Sequence, residues 1–83
     1  MKKKIVILGS TGSIGKSTLE IIKKDKKNFE IILLTSHKNI NELDKQRRIF
    51  KVKNLIVTDY ESFISLKRKY KNKKIKVFNN YKN

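Results

Sequence analysis

Four short apolar runs punctuate the chain: Lys4 to Leu8, Glu30 to Thr35, Asn54 to Thr58 and the weaker Ile75 to Phe78. In the first three the hydrophobic residues follow one another without polar alternation, as in Ile31-Ile32-Leu33-Leu34. Unbroken runs of β-branched residues and leucine predict strands covered on both faces, as in a parallel sheet. Between the runs the spacing turns helical. Ile14, Thr18, Ile21 and Ile22 predict one inner face from Ser13 to Lys24, with lysines opposite. A second helix is predicted from Asn39, whose side chain caps while Glu42 completes a capping box, with Leu43 and Phe50 facing inward. A third follows Thr58, with an apolar stripe of Tyr60, Phe63, Ile64 and Tyr70.

The order β-α-β-α-β-α-β, with connections this short, predicts an α/β fold. Right-handed crossovers give an open parallel sheet, expected to carry helices on both faces. The polar stretch from Lys71 to Asn83 reads as a frayed end or the start of further material.

The first strand runs directly into Gly9-Ser10-Thr11-Gly12-Ser13-Ile14-Gly15, and the first helix begins there. Strand, glycine-rich turn and helix together form a dinucleotide-binding context. Gly9 allows the sharp turn out of the strand, Gly12 lets a phosphate approach the backbone, and Gly15 lets the helix pack closely on the sheet. The N–H groups near Gly12, Ser13 and Ile14 then face an anion at the positive end of the helix dipole. The fold is accordingly Rossmann-like and incomplete, with residues 1–83 as the N-terminal portion of a dinucleotide-binding domain.

Gly15-Lys16-Ser17 also resembles the end of a P-loop, and Leu55 to Asp59 its magnesium-holding strand. A P-loop requires glycine where this chain has Ser10, and Gly9 lies one residue too far away. Asp59 reads equally well as a helix-start residue. A glycine turn that binds nothing is the remaining alternative.

Thr35-Ser36-His37-Lys38-Asn39 ends the second strand about twenty residues beyond the glycine turn, where NAD enzymes carry a carboxylate for the ribose hydroxyls. No carboxylate is present in that stretch. Hydroxyls, an imidazole, an ammonium and an amide suit the 2′-phosphate of NADPH instead. A helix-capping loop with an incidental lysine is the competing explanation.

Composition bounds the rest. Eighty-three residues make at most one small domain, and the absence of cysteine rules out disulfides and thiolate metal sites. The net charge of +15 invites a polyanion partner. The lysines, however, are spread over every segment and do not alternate with aromatic stacking residues, so no specific nucleic acid is expected. The Lys, Ile and Asn content is also what AT-rich codon usage gives, which is the competing explanation of the charge. The first apolar run is too short for a signal peptide or a membrane span, so a cytoplasmic protein with no membrane partner is expected.

The string Ile5 to Gly15, then Ser17-Thr18-Leu19, then Lys38-Asn39, resembles the N-terminus of the 1-deoxy-D-xylulose 5-phosphate reductoisomerase family. The resemblance fades after Asp59. It implies an NADPH-dependent oxidoreductase that rearranges and reduces a sugar phosphate to 2-C-methyl-D-erythritol 4-phosphate, an isoprenoid precursor. It implies that Thr11, Gly12, Ser13 and Ile14 contact the cofactor phosphates and that His37, Lys38 and Asn39 surround the 2′-phosphate. The family normally has glycine where this chain has His37. It also implies a homodimer and a divalent metal (magnesium or manganese) held by carboxylates of a catalytic domain. That domain is expected to be absent from these residues, and the seven acidic residues are scattered without metal-ligand spacing. Alone, the chain is expected to be inactive. The alternative is a non-catalytic basic remnant that binds dinucleotides or polyanions generally.

Overall fold

A computed structural model describes residues 2–80. Residues 81–83, the end of the polar stretch noted above, lie outside the described part. The elements run β1 (Lys3–Ile7), α1 (Ser13–Lys23), a short 3-10 turn (Lys26–Asn28), β2 (Phe29–Ser36), α2 (Ile40–Phe50), β3 (Asn54–Val57), α3 (Tyr60–Lys69) and β4 (Lys76–Phe78). All neighbouring strands are parallel and lie in the order β1-β2-β3-β4. The α/β class and the alternation of elements match the hydrophobic pattern.

The helices differ from expectation in one respect: they share one face of the sheet. Each crossover moves one strand in the same direction, and right-handed crossovers of that kind keep their helices on one side. The packing agrees. Ile7, Ile31, Leu34, Leu55, Val57 and Val77 project from one sheet face into a single cluster with Leu19 and Ile22 of α1, Leu43 of α2 and Leu66 of α3. On the other face Val6, paired with Leu33, remains 44% exposed. The helices therefore cover one face only; on the other, Ile56 is buried beside its strand partners Thr35 and Phe78 while Val6 stays open.

A register shift explains how Ile31 and Leu34, an odd number of residues apart, reach the same core. Ile5 pairs with Ile31 but Val6 pairs with Leu33, so Ile32 is an extra residue in β2. The Ile32 carbonyl accepts a 3.2 Å hydrogen bond from Asn54 Nδ2, which keeps this bulge from leaving an orphaned acceptor.

Two helix stripes also correct the predicted ones. The buried face of α1 is Gly15, Leu19 and Ile22. Ile14 and Ile21 instead stand 82% and 71% exposed. In α3, Leu66 is the buried residue, Phe63 and Tyr70 pack partly against the core, and Tyr60 is exposed. Asn39 caps α2 as predicted, accepting from the Glu42 N–H at 3.3 Å. The Glu42 carboxylate accepts from Gln46 Nε2 at 3.2 Å. Asp59 caps α3, accepting from the Ser62 N–H at 3.1 Å and from the Ser62 hydroxyl at 2.7 Å.

Candidate functional site: two loops at the strand ends

The ends of β1 and β2 lie side by side, so the loops that follow them form one continuous edge. The glycine turn leaves β1 at Gly9, whose φ of +65° lies in the left-handed region that favours glycine. The Gly12 N–H donates to the Gly9 carbonyl at 3.1 Å and closes the turn, and the Lys16 N–H reaches the Gly12 carbonyl at 2.9 Å to start α1. Gly15 lies against the turn itself. A Cβ there would stand 2.6 Å from Ser10 Cα and 2.8 Å from the Ser10 carbonyl carbon. Only glycine brings the helix this close.

Gly12 is the N-cap of α1 in extended conformation, and no side chain among the described residues caps this end. The first-turn N–H groups of Ser13, Ile14 and Gly15 have no helical acceptor, as at any helix start. No acidic residue occupies that first turn. Gly9, Gly12, Ser13, Ile14 and Gly15 line an open cleft of about 500 Å³ together with Val6, Ile7, Leu8 and Thr18. Uncapped donors, the helix dipole and a first turn without acidic residues make this cleft suited to a phosphate.

Four hydrogen bonds fasten the turn to the end of β2. The Gly9 N–H donates to Thr35 Oγ1 at 2.8 Å, and the Ser10 N–H to the Thr35 carbonyl at 2.8 Å. Ser10 Oγ donates to the same carbonyl at 3.3 Å, and Thr11 Oγ1 and Ser36 Oγ share a proton at 2.8 Å. From α2, Gln46 Nε2 donates to the Ser10 carbonyl at 2.9 Å. Sequence reasoning placed Thr35 and Ser36 near the site but missed Gln46. Its signal was its position, three residues after Leu43 on the inner stripe of α2.

The loop after β2 presents His37, Lys38 and Asn39, all exposed. It is strapped to the loop after β3: Thr58 N–H to the Ser36 carbonyl at 3.1 Å, Asp59 N–H to the His37 carbonyl at 2.9 Å, and His37 Nδ1 to Thr58 Oγ1 at 2.7 Å. Asn39 therefore has the capping role that competed with phosphate binding; its Nδ2 is the group left to meet a ligand. The Asp59 carboxyl is held below the usual carboxylate range. The Ser62 hydroxyl contributes most, then the Ser62 N–H, against a smaller opposing effect of burial, with the Lys38 and His37 charges adding to the lowering. Among the described residues no three His, Cys, Asp or Glu stand close enough to hold a metal ion. No helix there is long and apolar enough to cross a membrane.

The profile of one family, 1-deoxy-D-xylulose 5-phosphate reductoisomerase, matches residues 5–82. A protein of that name from Pelagibacter ubique is 61% identical over 79 residues, which cover 95% of this chain and 20% of the relative. One from Buchnera aphidicola is 43% identical over 74 residues, 89% of this chain and 19% of the relative. Among solved structures, the reductoisomerase from Zymomonas mobilis in complex with NADPH superposes with a TM-score of 0.84 at 26% identity, over 94% of this chain and 21% of its own. A second, in complex with NADPH, fosmidomycin and magnesium, gives a TM-score of 0.83 at 26% identity, over 92% of this chain and 19% of its own. This chain thus spans about a fifth of the length of the relatives it matches.

Proposed function

This chain belongs to the 1-deoxy-D-xylulose 5-phosphate reductoisomerase family, and from that premise we propose that it supplies the first part of the family's NADPH-binding domain. The observation that carries this is the direct bonding of two loops, Thr11 to Ser36 and Gly9 and Ser10 to Thr35, which sets a phosphate-ready turn beside a basic loop. In this assignment the N–H groups of Gly12, Ser13 and Ile14 cradle the pyrophosphate, with Thr11 adding a hydroxyl and Gly9 and Gly15 shaping the turn. Lys38, Asn39 and His37 meet the 2′-phosphate. A lysine ammonium favours a dianionic phosphate and gives nothing comparable to the neutral 2′-hydroxyl of NADH.

The bound cofactor supplies hydride. What this chain's residues do is bind and orient it. The acidic residues here do not converge on a metal, and no step is assigned to one. The whole enzyme is proposed to act in the cytoplasm as a homodimer. Its sugar-phosphate substrate and divalent metal would be held by the part of the relatives' length that this chain does not match. Without that part, no turnover is expected.

Titration of the chain with NADPH and with NADH at physiological ionic strength tests this assignment. It requires saturable binding that favours NADPH and survives added salt. Equal, weak binding of both that fades with salt would mean the +15 charge alone attracts them.

A further inference from the structure

We propose that His37 is a titratable selector of the cofactor's 2′-phosphate, so that the preference for NADPH over NADH strengthens as the pH falls. The inference rests on the NADPH assignment above and deepens it at one residue.

Three observations carry it. His37 is the first residue beyond β2, the position at which dinucleotide-binding folds read the adenine ribose. Its imidazole is exposed yet fixed, because Nδ1 bonds Thr58 Oγ1 at 2.7 Å while its own carbonyl accepts the Asp59 N–H at 2.9 Å. With Nδ1 engaged across to the β3–α3 loop, Nε2 is the nitrogen left to meet a ligand. When Nδ1 carries the proton shared with Thr58, neutral Nε2 presents a lone pair, which repels a phosphate oxygen. In the imidazolium form Nε2 becomes a charged donor.

The charged surroundings are few. Lys38 stands beside it on the same loop. Asp59 faces it from the loop before α3 and is close enough for the His37 charge to act on its carboxyl. On α2, Glu42 accepts from Gln46. The turn from Gly9 to Gly15 contains no titratable side chain. Histidine is the side-chain type that answers to pH near neutrality, and Lys38 and Asp59 are the charged groups it faces across this edge.

The test measures dissociation constants for NADPH and NADH on the intact chain at about pH 6 and about pH 8, at constant ionic strength. The same titrations on His37→Asn correct for the phosphate itself, which takes up a proton near pH 6. Relative to that variant, the wild-type NADPH:NADH affinity ratio is expected to rise about three- to fivefold from the higher to the lower pH, the size of a solvent-exposed ion pair. Thr58→Val, which frees the ring but leaves it titratable, is expected to lose part of that rise. His37→Gly should keep an NADPH preference, carried by Lys38, with no excess rise.

If wild type and His37→Asn change in parallel, the His37 proposal is overturned and NADPH binding stands. If neither nucleotide binds at either pH, the cofactor assignment fails along with it.

Discussion

Gln46 of α2 donates a 2.9 Å hydrogen bond to the Ser10 carbonyl, inside the glycine turn, and both residues are buried. The helix that begins at the basic loop is thereby tied to the turn proposed to receive phosphate. Gln46→Leu would leave the Ser10 carbonyl without that donor, and a buried acceptor so stranded costs about 1–3 kcal/mol. Gln46 Oε1 is itself buried with no hydrogen-bond partner among the described residues, so its removal offsets part of the loss and the low end is expected. Urea unfolding of wild type and variant measures the difference. An unchanged midpoint would show that the bond contributes nothing to stability.

The glycines separate folding from binding. Gly15→Ala is expected to destabilise the fold by more than about 2 kcal/mol, because its Cβ meets the Ser10 backbone, which cannot move aside as a side chain would. At Gly12 the nearest atom to an added Cβ is the Gly9 carbonyl oxygen, at 3.5 Å, an ordinary contact. Gly12→Ala should therefore melt within a few degrees of wild type yet bind NADPH at least about tenfold more weakly, because the methyl group enters the phosphate approach. Thermal melts and nucleotide titration of the same two preparations check both halves.

Between α2 and α3, Asp44 gathers Lys69 at 2.6 Å, Arg48 at 3.4 Å, Arg47 at 3.7 Å and the Tyr70 hydroxyl. Burial pushes the Asp44 carboxyl up, but the hydrogen bonds from Lys69 and Tyr70, with the Lys69 and Arg48 charges, outweigh it and hold it low. A carboxyl lowered by folding stabilises the fold above its unfolded value and loses that contribution as the pH falls through the folded one. Asp44→Asn is expected to cost about 1–2 kcal/mol near neutral pH, since Lys69 and Arg48 are half-exposed and partly screened. The gap to wild type should stay level down to about pH 5 and close below about pH 4. Denaturation across that range reads it directly, and a gap that widens in acid would reverse the sign.

Much of this was legible in the residues. Ile5 to Leu8 running into Gly9 announced strand, turn and helix, because glycine at those spacings has few other uses. Asn39 and Asp59 signalled helix starts through their capping chemistry. The bulge at Ile32 was hidden, since four apolar residues in a row look the same in either register. The single-sided packing was hidden too, because it depends on strand order. Asp44 and Gln46 are polar residues in a strongly charged chain, and nothing in their residue types marks them as buried. Only Gln46, three residues after Leu43, had a spacing that hinted at burial, and the partners across elements, Ser10 for Gln46 and Lys69 and Tyr70 for Asp44, lie far along the chain.

Cofactor choice is assigned to the loop after β2. Lys38→Ala is expected to weaken NADPH binding about tenfold, the worth of one charge-assisted contact, and to leave NADH binding nearly unchanged. Parallel calorimetric titrations of the two nucleotides check it. An equal loss for both would place Lys38 outside the 2′-phosphate site.

The central claim is that the glycine turn and the basic loop form one NADPH half-site. Backbone amide chemical shifts of the isotope-labelled chain, followed during NADPH addition at physiological salt, test it most directly. The largest changes should fall on Gly12, Ser13, Ile14, Lys38 and Asn39, and with NADH the last two should move much less. Shifts scattered over lysine-bearing surfaces, alike for both nucleotides and suppressed by salt, would contradict it.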